Sequence, residues 1–158
     1  LNVGSALTTT SGNKVGLGTG IPRSDIDLEG ATRFKTYHEN VEVLDISSGV
    51  VTIDLSLGQT FELTVDEVVD RFTLLNPPTG STAFSIKITQ GPTGYGVGID
   101  TFRDSVGTAI SVYWPGGGVI PIVTTTASRT DIYSFKTFDG GNITSSGLYG
   151  VVGGQNFA

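Results

Sequence analysis

A chain of 158 residues allows one domain, or one domain plus an appendage, with a core that needs no cross-links. Its 15% charged residues, 23 glycines and net charge of −6 exclude a disordered polyelectrolyte, and the nine basic residues are too scattered for a nucleic-acid backbone binder. Cysteine is absent, which removes disulfides, Cys-type zinc sites and thiol nucleophiles.

Residues 1–40 are read as a shaft or linker segment. "SALTTTSGN" is small and polar, and "KVGLGTGIPRSDIDLEGATRF" holds two short alternations, Val15/Leu17 and Ile26/Leu28. Two such strands bury too little to stand alone in water, so packing against another copy is expected, with these four residues at the oligomer contact. The glycines between them do not make a nucleotide loop. The spacing Gly16, Gly18, Gly20 lacks G-x-G-x-x-G, no Gly-Lys-Ser/Thr occurs, and Pro22 and Gly30 leave no helix whose amides could face a phosphate. They read as turn residues. Asp25 and Asp27 lack EF-hand spacing and read as solvent-facing.

From residue 41 the period is two. "VVTIDLSL" places Val51, Ile53, Leu55 and Leu57 on one face, and "FELTV" does the same with Phe61, Leu63 and Val65. "VDEVVDRF" is the best helix candidate, yet it is short enough to be a turn between strands. "RFTLLN", "AFSIKIT", "AISVYW", "VIPIVTT" and "DIYSF" continue as strands, separated by the turn clusters "NPPTG", "QGPTGYG", "WPGGG" and "FDGGN". Strand starts recur about every ten residues, so residues 41–158 are expected to form an all-β, antiparallel sandwich head.

Two stretches carry a resemblance. Val15-Gly16-Leu17-Gly18-Thr19, Pro22, Ile26-Asp27-Leu28-Glu29-Gly30 and Ala31-Thr32-Arg33-Phe34 resemble a short module of phage tail fibres and related trimeric surface proteins. "VYWPGGGVIPIVTTTASRTDIYSF", then "DGG" and a finish in "GGQNF", is similar to the C-terminal domain of fibre-like virion structural proteins of marine tailed phages. The resemblance implies a trimeric β-architecture, a shaft of three intertwined chains, and a virion tail location. It also implies other tail proteins as neighbours, and the chain is read as the C-terminal part of a longer one.

Candidate sites follow. Tyr95, in the glycine-flanked loop "GPTGYGVGIDTF", stands where binding residues collect on a rigid scaffold. Trp114 offers a sugar-stacking face, though its strand-end position before "PGGG" favours the core. Tyr149 joins them as a third receptor-binding candidate, while alternation in "DIYSF" sends one of Ile132 and Tyr133 outward. His38, the sole histidine, has neither a G-x-S-x-G partner motif nor a His-x-His neighbour, and reads as a surface or interface residue. Asp66, Glu67 and Asp70 share one local turn and read as solvated rather than as a glycosidase pair. The expectation is therefore a non-catalytic, homotrimeric tail-fibre component, without metal or cofactor and without membrane insertion. It would attach the virion to a host-surface polysaccharide or lipopolysaccharide. The rival is a structural virion protein, such as a capsid decoration or tail-joint component, that touches no host.

Overall fold

A computed structural model describes residues 35–158 and three strands before them: β1 (Leu7–Thr9), β2 (Val15–Leu17) and β3 (Ile26–Leu28). The chain divides into two compact units, Leu1–His38 and Glu39–Ala158, against an expected boundary after residue 40. In the first unit β2 pairs antiparallel with β1, Leu7 facing Leu17, and parallel with β3. Val15 is in register with Ile26 and Leu17 with Leu28, so the two alternations noted in the sequence lie side by side. The sequence reading missed β1, whose "LTT" has one apolar residue and no alternation to detect. Residues 18–25, with their glycines and Asp25, lie outside the described residues.

The second unit holds β4 (Val41–Leu44), β5 (Ile46–Ser47), β6 (Val50–Asp54), β7 (Thr60–Val65), β8 (Arg71–Leu75), β9 (Thr82–Gln90), β10 (Phe102–Arg103), β11 (Ala109–Ile110), β12 (Val112–Tyr113), β13 (Thr130–Thr137) and β14 (Leu148–Phe157). These strands make two sheets. One runs β11-β10-β8-β6-β5 and the other β12-β14-β13-β9-β7-β4. The expected antiparallel arrangement is corrected here, because the sheets are mixed. β4, β7 and β9 are parallel neighbours, as are β6, β8 and β10, and only the β5, β11 and β13 pairings are antiparallel. From β6 to β10 the chain passes from one sheet to the other at every connection, so β8, β9 and β10 each return beside the strand two before, in the same direction. Alternation along a strand reports only that one face is buried. It is blind to whether the neighbouring strand runs with or against it.

The two inner faces meet in one core. Val51, Ile53, Phe72, Leu74 and Phe102 come from the first sheet, and Phe61, Leu63, Phe84, Ile86, Ile88, Tyr133 and Phe135 from the second. Phenylalanines bridge the sheets: Phe102 lies 5.0 Å from Phe72 in a stacked pair and 5.0 Å from Phe135 in a tilted one, centroid to centroid. Phe84 stacks on Phe135 at 5.2 Å. Each such ring pair adds about 0.5–1.5 kcal/mol beyond the burial of its area.

Three local expectations change. Residues 66–70 are a turn rather than a helix, with β7 ending at Val65 and Val69 bridging to Val97. "AISVYW" is not one strand. Ala109–Ile110 belongs to the first sheet and Val112–Tyr113 to the second, the chain changing sheets at Ser111, whose carbonyl accepts from the Leu148 amide at 2.9 Å. "VIPIVTT" is not a strand either. Pro121 has no amide to give a ladder, and the segment is fixed instead by side chains from elsewhere. Gln155 Nε2 donates to the Ile122 carbonyl (2.7 Å), and Gln90 Nε2 donates to the Thr124 carbonyl (2.8 Å). Before it, Gly116, Gly117 and Gly118 take φ of 72°, 85° and 84°, left-handed values that explain three glycines in a row.

Candidate functional site

The three aromatic candidates have different fates. Trp114 is only 6% exposed. Its ring packs edge-on against Tyr133 and Phe135, and its indole N–H has no hydrogen-bond partner among the described residues. A ring in that position belongs to the core and presents no face to a sugar. Tyr95 is half-buried against the core, and its loop is pinned by one side chain. Gln90 Oε1 accepts from the Tyr95 amide and Gln90 Nε2 donates to the Tyr95 carbonyl, both at 3.0 Å. Tyr149, by contrast, is 46% exposed on the outer face of the six-stranded sheet.

Register builds a patch around Tyr149. Val112 and Trp114 face inward, so Tyr113 between them faces outward, and the parallel β12–β14 pairing sets it beside Tyr149. The two rings lie 5.2 Å apart. Phe138, just beyond the end of β13, meets the other side of Tyr149 edge-on at 5.4 Å. Lys136 pairs with Tyr149 across β13–β14, and its Nζ sits 5.1 Å from the Phe138 ring centre, a cation–π contact. Tyr113 is 47% exposed and Phe138 61%. Lys136, Phe138 and Tyr149, together with Ala83, Ser134 and Val151, line an open groove of 360 Å³, and Tyr113 flanks it through its contact with Tyr149.

This arrangement combines stacking surface with polar groups at its rim. The groove wall itself is apolar; the hydroxyls of Tyr113 and Tyr149 and the Lys136 ammonium, on exposed side chains at its margin, can hydrogen-bond a ligand lying on the rings. On the same outer face the sheet is cross-linked by hydroxyl pairs, Ser85 with Ser134 at 2.7 Å and Thr89 with Thr130 at 3.0 Å. Among the three candidates the sequence reading reached only Tyr149 of this cluster. Tyr113 was legible from its alternation with Trp114, but the partner strand was not. Phe138 follows the alternating stretch that was read as a strand and lies in the "FDGGN" turn.

The remaining candidates stay apart. His38 is exposed at the end of the first unit. Asp66, Glu67 and Asp70 are exposed in the turn between β7 and β8, where Glu67 Oε1 accepts from the Gly49 amide at 3.3 Å. Among the described residues no three His, Cys, Asp or Glu side chains are grouped to hold a metal ion. No described helix is long and apolar enough to cross a membrane.

A different carboxylate is buried. Asp131, on the inner face of β13, accepts from the amides of Thr124 (Oδ2, 2.7 Å) and Asn156 (Oδ1, 2.8 Å). Its Oδ2 also accepts from Tyr133 Oη and Gln155 Nε2, each at 3.2 Å. Burial acts to raise its pKa, but the donated hydrogen bonds outweigh burial and hold the carboxyl below the usual carboxylate range. Tyr133 is driven far above the usual tyrosine range by burial first and then by the Asp131 charge. The cluster ties three separate segments together, the Thr124 loop, β13 and the end of β14. No protein-family model, no curated protein and no solved structure matches the chain.

Proposed function

We propose that this chain is the C-terminal region of a phage tail fibre or fibre-like virion protein. It is homotrimeric and non-catalytic, and it attaches the virion to a host-surface polysaccharide or lipopolysaccharide. The observation that carries the attachment reading is the exposed ring cluster of Tyr113, Phe138 and Tyr149 on a stiff sheet face. Aromatic faces complement the apolar face of a hexose, and tyrosine gives a large contact area at little entropic cost. Three heads on one trimer convert a weak single contact into avidity. Val15, Leu17, Ile26 and Leu28 supply the trimer contact, since a three-stranded sheet of three-residue strands is too small to hold its own core.

A structural virion role without host contact is the second reading. It draws on Val119, Ile120 and Ile122, an exposed apolar run that suits a protein neighbour. Adsorption separates the two. Labelled full chain is applied to a panel of bacterial cells, cyanobacteria included, with and without their surface polysaccharide. Saturable binding that depends on the polysaccharide and falls in Tyr149→Ala supports attachment. Absence of binding to an infectable strain by folded, trimeric protein supports the structural role.

A further inference from the structure

The outer face of the five-stranded sheet carries a polar pocket that shares no lining residue with the aromatic groove. β8 and β10 run parallel with Thr73 beside Arg103, so Arg71 and Arg103 are diagonal neighbours on one face. They line a pocket of 300 Å³ with Thr73, Asp104, Ser105 and Gly107. Both arginines are exposed, and among the described residues neither has a carboxylate within ion-pair distance. Asp104 also lines the pocket and forms no ion pair with either arginine; its Oδ1 accepts from the amides of Val106 (3.0 Å) and Thr108 (2.7 Å), closing the turn between β10 and β11. Arg103 is not trailing in solvent, because its Nη1 donates to the Gly107 carbonyl at 2.8 Å and fixes the guanidinium over the pocket.

Arg71 and Arg103 against the one carboxylate of Asp104 leave this pocket a net positive charge with two like charges that repel, and this in a chain whose net charge is −6. An oxyanion between them removes that repulsion, and a guanidinium's fork of N–H donors matches a carboxylate, sulfate or phosphate. The hydroxyls of Thr73 and Ser105 add two donors at the same pocket. We propose that Arg71 and Arg103, with Thr73 and Ser105, form an oxyanion-binding site on the outer face of the five-stranded sheet. Its ligand is a carboxylate, sulfate or phosphate group, either free or borne on a sugar.

The test uses the full chain, 15N-labelled, titrated at low ionic strength with inorganic phosphate, glucuronic acid and glucose 6-sulfate, and with glucose as the uncharged control. Saturable shifts of the Arg71 and Arg103 Nε–Hε signals with at least one charged probe, and none with glucose, are expected. A response to phosphate alone assigns the site to phosphate groups. A response to a charged sugar assigns it to acidic glycans. Arg71→Gln/Arg103→Gln should weaken the binding at least tenfold, and Arg71→Lys/Arg103→Lys, which keeps the charge but loses the fork, by less. No saturable shift with any charged probe, or equal affinity in wild type and both double variants, overturns the proposal. Failure here leaves the aromatic groove untouched, and failure of Tyr149→Ala leaves this site untouched.

Discussion

Replacing Asp131 by asparagine keeps the shape of the buried side chain and removes its charge. The carboxylate accepts two short backbone bonds, from Thr124 and Asn156, through different oxygens. Asparagine has one acceptor oxygen, so one of these amides must face an NH2 group instead. The loss is one charge-assisted hydrogen bond, about 1.5–3 kcal/mol, plus the penalty of an unsatisfied buried donor, about 1–3 kcal/mol. Relief of the carboxylate's own desolvation offsets part of it. The net expectation is a destabilisation of about 2–4 kcal/mol, a substantial fraction of an ordinary domain's stability. Urea unfolding followed by tryptophan fluorescence reads it directly, since Trp114 is the sole tryptophan and its ring packs on Tyr133. The sign with pH follows from the depressed carboxyl. Its stabilisation is present above the unfolded aspartate value of about 4 and is lost as pH falls through the lower folded value. The gap between wild type and Asp131→Asn should therefore be wide at neutral pH and narrow in acid. An unchanged urea midpoint at neutral pH, or a gap that acid does not narrow, would refute the reasoning.

Other outcomes can be checked in the same preparations. Asp66→Asn, at an exposed turn, should shift stability by less than about 0.5 kcal/mol, which makes it the control. Gly150→Ala should cost about 1–3 kcal/mol by thermal unfolding, because a Cβ there meets the Trp114 ring at 2.6 Å. In alkali, Tyr133 contributes stability that is complete below the unfolded tyrosine value of about 10. That contribution is lost as pH rises through the far higher folded one, so Tyr133→Phe should flatten the alkaline fall of the unfolding midpoint. Deleting residues 1–38 should leave the unfolding of residues 39–158 cooperative, since the described core lies wholly within them, and under the proposed trimeric assembly sedimentation of the deleted form should read a monomer.

What the sequence made legible was the burial of each strand face. Val51, Ile53, Phe61, Leu63, Phe72, Leu74, Phe84, Ile86 and Ile88 are all core residues, as alternation predicts. Strand direction was not legible, because parallel and antiparallel neighbours bury the same faces. The windings of the chain also differ in length, β7 pairing with β9 from Thr60 to Ser85 but with β4 from Thr60 to Val41, so no fixed repeat marks them. Nor was the long β14 legible. Its "LYGVVGGQNF" alternates only briefly, and its far end is held by Asp131 and Gln155 side-chain bonds rather than by a buried stripe. The aromatic groove was half legible for the same reason. Tyr149 stood among the candidates, but only the register of two strands distant in sequence makes Tyr113 its neighbour.

The winding between sheets has a consequence for how such a head diversifies. Successive strands on one sheet are clamped laterally to each other, and some connections between sheets, such as the mostly exposed 76–81, add no strand to that clamping. A connection such as 76–81 can gain or lose residues while the ladders on either side keep their partners, because closing a longer loop adds only slowly to the entropic cost. The scaffold thus separates inheritance into two parts: a ladder that must be copied faithfully, and rim segments free to drift. A lineage under pressure to change what it meets can rewrite the rim without renegotiating the core.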